Sequence, residues 1–133
     1  MGEVRAVTTG GAPAAIGPYS QGVRYGEWLW VSGQIPLDPA SGRLVEGEMA
    51  VQVERVLENV GAILAAAGGG FADVVKTTIY LTDINDFSIV NEVYGRYFVT
   101  PYPARATVGV MALPKGARIE MDVVACLSGQ APD

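Results

Sequence analysis

The sequence predicts an α+β fold, a mixed β-sheet with two helices on one face. Apolar residues recur with a helical period in two stretches, 49–67 and 87–98, while five β-branched or aromatic stretches bounded by turn formers read as strands. Their order is a meander, a helix, a strand, a second helix and a closing pair of strands. With 133 residues, 50% of them hydrophobic and 17% charged, the chain suits one compact domain spanning 1–133.

Tyr19 to Tyr25 and Trp28 to Ser32 are read as strands joined by the two-residue turn Gly26-Glu27. From Gly33 to Gly42 turn formers dominate, and Pro36 and Pro39 remove donors that a strand interior needs, so a loop is predicted. From Met49, the residues Val53, Val56, Leu57, Val60, Ile63, Leu64 and Ala67 follow the spacing of an amphipathic helix. Gly68-Gly69-Gly70 ends it, because glycine takes the left-handed C-terminal position without steric cost. Val74 to Leu81 is a β-branched strand. Asp86 can cap a second helix with the buried stripe Phe87, Val90, Tyr94, Tyr97 and Phe98, stopped by Pro101 and Pro103. Ala104 to Ala112 and Ile119 to Leu127 follow as strands, joined through Leu113-Pro114-Lys115-Gly116-Ala117 and expected to pair as a hairpin.

In the last strand Ile119, Met121, Val123 and Ala125 share one face, and Glu120, Asp122, Val124 and Cys126 the other. Two helices cover one side of a sheet, so the second side leaves an apolar patch on a monomer. A homo-oligomer burying sheet against sheet is predicted, with its subunit clefts as candidate sites.

The chain has no histidine, which removes Ser-His-Asp and Cys-His nucleophile systems, His-ligated metals and imidazole catalysis. The single cysteine, Cys126, has no partner for an intrachain disulfide, and its apolar neighbours suggest a buried, inert thiol in a reducing cytoplasm. The start lacks the pattern of a signal peptide, and no run approaches the roughly 20 apolar residues that span a bilayer, so a soluble, unexported protein is expected. Net charge is −5 with cations scattered singly, which argues against nucleic acid as a partner. Gly68-Gly69-Gly70 lacks the ending of a phosphate loop and follows a helix rather than preceding one.

Arg105 is the most informative residue. At a strand start with no neighbouring carboxylate in sequence, its guanidinium either faces solvent or a distant Asp, or forms a fork for a substrate carboxylate. Thr107 lies two residues on, on the same face. Glu120 interrupts an apolar strand and is either solvent-facing or set beside a cation; Asp122 is its competitor on that face. A closing hairpin would pair Arg105 with Glu120.

Taken together, Gly17-Pro18-Tyr19-Ser20-Gln21, Ser32-Gly33-Gln34-Ile35-Pro36, Asn59, Ala67-Gly68, Val75-Lys76-Thr77-Thr78, Asp86-Phe87 with Asn91, Pro103-Ala104-Arg105, and Leu113-Pro114 leading to Ile119-Glu120-Met121 closely resemble the Rid (YjgF) family of reactive-intermediate imine deaminases. The resemblance covers nearly the whole chain in order. It implies a chorismate-mutase-like fold, a homotrimer with a site in each subunit cleft, and hydrolysis of 2-imino acids or enamines such as 2-aminoacrylate to 2-keto acids and ammonia. By position it implies that Arg105 binds the carboxylate and Glu120 orients or activates water. Tyr19, Ser32 and the backbone amide of Thr107 would line the pocket, with Phe87 and Asn91 near it, and no cofactor or metal is required. Thr107, Gly109 and Met111 depart from residues the family often carries, and Met111 is expected on the strand face of Arg105. A non-catalytic 2-keto-acid-binding trimer is the alternative, and RNA cleavage or translation inhibition, also attached to the family, fits the acidic charge less well.

Overall fold

The computed structural model describes residues 2–127; Met1 and residues 128–133, which the predicted domain of 1–133 includes, lie outside the described residues. The strands are β1 (Arg5–Val7), β2 (Gly22–Tyr25), β3 (Trp28–Gln34), β4 (Val74–Leu81), β5 (Ala104–Gly109) and β6 (Ile119–Cys126), and the helices are α1 (Met49–Ala66) and α2 (Phe87–Tyr94). They form one six-stranded mixed sheet in the order β1-β2-β3-β6-β4-β5, as the α+β reading expects. The strand β1 has no counterpart in the sequence reading, since three residues are too few for an alternation to show. Among the described residues no helix is long and apolar enough to cross a membrane.

The expected closing hairpin does not form. β6 lies between β3 and β4, antiparallel to both, and β5 pairs with the far edge of β4 in parallel. The reason is α2: a helix between consecutive strands makes a crossover, which returns the chain parallel to the strand it left. β5 also stops at Gly109, short of the predicted Ala112.

α1 buries Val53, Val56, Leu57, Val60, Ile63 and Leu64 against Leu29, Val31, Ile79, Ile119, Met121, Val123 and Ala125 of the sheet. Each such side chain contributes about 2 kcal/mol relative to exposure in water. At its end Gly68 takes φ 89°, its N–H bonds the Ala65 carbonyl at 3.0 Å, and the Gly69 N–H reaches back to the Leu64 carbonyl at 2.9 Å. α2 is shorter than its apolar stripe. Asp86 holds the N-cap position, but its side chain makes no cap bond; Asp83 instead accepts from the Asn85 N–H at 3.0 Å in the preceding turn. Phe98 lies beyond the helix and is buried through its stack on Tyr94, with ring centroids 4.3 Å apart.

The opposite face of the sheet carries no helix. Along β6 the core residues alternate with half-buried Glu120, Asp122, Val124 and Cys126, as the face count expects. Trp28 and Trp30 stay 43% and 46% exposed beside them, and Cys126 is half-buried rather than enclosed, because it shares this face.

Loops rich in glycine and proline satisfy little of their own backbone, and buried amides do it for them. Gln21 accepts from the Thr9 N–H at 2.7 Å and donates to the Thr9, Ala12 and Pro13 carbonyls at 3.0, 3.2 and 2.8 Å. Asn59, fully buried on α1, donates to the carbonyls of Leu37 at 3.0 Å and Ile35 at 3.4 Å, while its oxygen accepts from Arg55 at 2.9 and 3.2 Å. Asn59→Ala strands these partners and is expected to lower the unfolding free energy by about 3 kcal/mol, measured by urea denaturation at fixed protein concentration.

Candidate active site

Two clusters of chemically capable residues emerge, one on each face of the sheet. Arg105 and Thr107 pair with Thr77 and Ile79 of β4 and so point to the helix-covered face. There the Arg105 guanidinium carbon lies 4.9 Å from the Tyr94 ring centroid and 5.4 Å from that of Phe87. The Tyr94 hydroxyl is itself tied to Thr77 Oγ1 at 2.9 Å. Stacking holds a guanidinium by its flat faces and leaves the N–H groups at its edge free for a carboxylate. None of the ion pairs among the described residues involves Arg105. The distant-Asp reading therefore has no support here, and the half-buried side chain is not simply solvated.

A cavity of about 320 Å³ opens beside it, lined by Asn91, Tyr94, Gly95, Tyr102, Pro103 and Arg105. Asn91 Oδ1, in this lining, and Thr107 Oγ1, two residues along β5 from Arg105, are buried without a hydrogen-bond partner among the described residues. Such atoms are costly unless a ligand or water completes them, which makes this cavity a candidate polar site.

Glu120 stands on the other face. Its ladder partner on β4 is Tyr80, three residues from the Thr77 that partners Arg105, so the two side chains point away from each other across the sheet. The expected Arg105–Glu120 pairing is thus absent within one chain, because β4 separates their strands and register puts them on opposite sides. Glu120 lines a second cavity, of about 470 Å³, with Tyr19, Gly33, Ile35, Pro114 and Lys115. Burial first, then the charge of Asp122, pushes its carboxyl up from the ordinary glutamate value. Asp122 accepts from the Tyr80 hydroxyl at 2.8 Å, so of the two competing carboxylates it is the one with a protein donor in hand.

Gly33, read among the turn formers of a loop, lies in β3 and lines the Glu120 cavity. Ser32 and Gly33 form a bulge in β3 opposite Asp122, and a Cβ on Gly33 would overlap the Glu120 carboxylate. The sequence reading ends this strand at Ser32, two residues short of Gln34, so nothing local marked Gly33. Ser32 lines neither cavity; its hydroxyl donates to the Ser20 carbonyl at 2.6 Å and fixes the strand entry. Tyr94, read as part of a buried stripe, is buried and also lines the Arg105 cavity. Met111 lies past the end of β5, fully exposed, and is not on the strand face of Arg105.

The family described as endoribonuclease L-PSP matches residues 9–127. Protein DfrA of Myxococcus xanthus is 54% identical over 123 residues, which are 91% of this chain and 94% of that protein. Human 2-iminobutanoate/2-iminopropanoate deaminase is 54% identical over 121 residues, 91% of this chain and 88% of its own. Among solved structures, YyfA of the Rid protein family from Yersinia pestis matches with a TM-score of 0.91 at 46% identity, covering 93% of this chain and 99% of that one. A family match across almost all the described residues, with relatives identical at more than half of the aligned positions, establishes that this chain belongs to the endoribonuclease L-PSP, or Rid (YjgF), family.

Proposed function

We propose that the protein hydrolyses 2-imino acids, or their enamine tautomers such as 2-aminoacrylate, to 2-keto acids and ammonia, acting as a homotrimer with its sites between subunits. The similarity to the human deaminase supports the reaction. The observation that carries the assembly is the sidedness of the two clusters: a carboxylate-binding arginine and a water-handling carboxylate on opposite faces of one sheet meet at a single substrate only when two chains contribute one each. The uncovered face with Trp28 and Trp30 supplies apolar area for sheet-on-sheet packing.

In this reading Arg105 clamps the substrate carboxylate bidentately, helped by the Thr107 backbone N–H, while Phe87 and Tyr94 keep the guanidinium in plane. The orphan Asn91 Oδ1 accepts from the imine N–H. Tyr19 shapes the wall on the Glu120 side, and Ser32 acts behind it by fixing the strand entry through its bond to the Ser20 carbonyl. Glu120 takes a proton from water as its oxygen bonds to the imine carbon and passes that proton to nitrogen, giving a carbinolamine. Glu120 then takes the carbinolamine hydroxyl proton and delivers it to nitrogen as the C–N bond breaks, so ammonia leaves, the ketone forms and the carboxylate is restored. An imine carbon is already electrophilic, so positioning supplies most of the acceleration and no cofactor enters. The protein would work in the cytoplasm, intercepting imines released by pyridoxal-phosphate dehydratases. The family's endoribonuclease description is the weaker reading, because net charge −5 opposes phosphate contacts.

Arg105→Lys is expected to keep the fold and trimer mass yet lose about 100-fold in turnover of dehydratase-generated imine, since an ammonium cannot reproduce the two-bond clamp. Glu120→Gln should bind substrate but lose kcat. In the wild type, kcat should fall as pH drops through the raised Glu120 value, where the base becomes protonated, and the glutamine variant should lack that limb. Mixing the two inactive variants under conditions that reassort subunits should restore about a quarter of wild-type activity, because each mixed trimer contains one site with both native groups. No recovery despite verified mixed trimers, or a monomer mass in light scattering, would refute the shared site.

A further inference from the structure

Tyr80 and Asp122 have no part in the reaction as described, yet both face Glu120. β6 runs between β3 and β4, so the Glu120 side chain has a neighbour on each flank. On the β3 flank stands Gly33, whose missing side chain leaves room for the carboxylate. On the β4 flank its direct ladder partner is Tyr80. The Tyr80 hydroxyl reaches past Glu120 to donate to Asp122 Oδ2 at 2.8 Å, two residues further along the same face of β6. The donor here is neutral. A lysine or arginine in its place would cancel the Asp122 charge, whereas a phenol fixes the carboxylate and leaves it negative beside Glu120.

We propose that the Tyr80–Asp122 pair is a positioning device for Glu120, in which the phenol walls the carboxylate against Gly33 and the bonded Asp122 sets how tightly Glu120 holds its proton. The proposal rests on the reading of Glu120 as the water-handling group. The direction of the Glu120 shift, upward from burial and then from Asp122, agrees with it. Tyr80 is pushed up to about 12, first by its bond to Asp122 and then by burial, so it remains a donor throughout any assay. The other titratable groups facing the same cavity are Tyr19, from the loop before β2, and Lys115, from the turn between β5 and β6. In the assembled trimer Arg105 of a neighbouring copy would join them.

Two conservative variants of the full chain test this with opposite signs. Asp122→Asn removes the charge while still accepting from Tyr80, and should move the Glu120 titration, followed by carboxyl carbon NMR, to lower pH by about half a pH unit or more. Tyr80→Phe keeps the ring but frees the Asp122 carboxylate, and should move it to higher pH, with kcat reduced about 3- to 10-fold and KM within about twofold. The acid limb of the pH–rate profile should follow each shift. An unchanged Glu120 titration in both folded variants, or shifts in the same direction, overturns the proposal. If the titrations move as expected while Glu120→Gln remains fully active, the positioning stands and the catalytic reading of Glu120 fails.

Discussion

A six-stranded sheet presents two faces, and helices of 18 and 8 residues have surface enough to cover one. Most of the architecture follows from that inequality. The covered face gathers the fully buried side chains of α1, β3, β4 and β6 into one cluster, and every second residue of β6 is committed to it. The alternate residues are consigned to the bare face, where Glu120 and Asp122 keep company with exposed tryptophans. Because β5 hangs on the far side of β4, its inward residues reach the end of α2, and Arg105 meets aromatic rings there instead of a carboxylate. The split between the two chemical clusters is thus a by-product of how the sheet is covered.

The walls of the Glu120 cavity come largely from loops, and their rigidity comes from below. Pro13 and Ala14 belong to a segment fastened by Gln21, and Ile35 and Leu37 to one fastened by Asn59. In each case a buried amide supplies donors that a proline-bearing segment cannot supply to itself. The site is therefore anchored in the core of its own chain, although its chemistry is proposed to need a second.

Much of this was legible from residue order. The periodicity of α1 and its glycine stop translate directly into a packed helix with a left-handed terminus, and the alternation of β6 separates core from bare face. Strand partnership was harder. A short connector between β5 and β6 invites a hairpin, but the helix between β4 and β5 dictates a parallel pair, and the stronger rule was the crossover. That single difference in pairing decides whether Arg105 and Glu120 are neighbours or lie back to back. Gly33, Tyr80 and the Tyr94 stack were invisible for another reason: their roles are defined by contacts between residues 11 to 87 positions apart, which no local pattern encodes.

The bulge at Ser32 and Gly33 separates what the sheet requires from what the chemistry requires. Val31 pairs with Val123 and Gln34 with Met121, so β3 spends three steps where β6 spends two, and the residues on either side keep their faces. A strand one residue shorter would make a regular ladder with the same core. The surplus residue serves the carboxylate: it is the notch into which Glu120 fits. On the proposed role of Glu120, deletion of one codon would heal the ladder and close the notch together, leaving a protein of unchanged architecture without its water-handling group in place. Descendants of one ancestor could share every strand and helix described above and differ in whether they are enzymes at all.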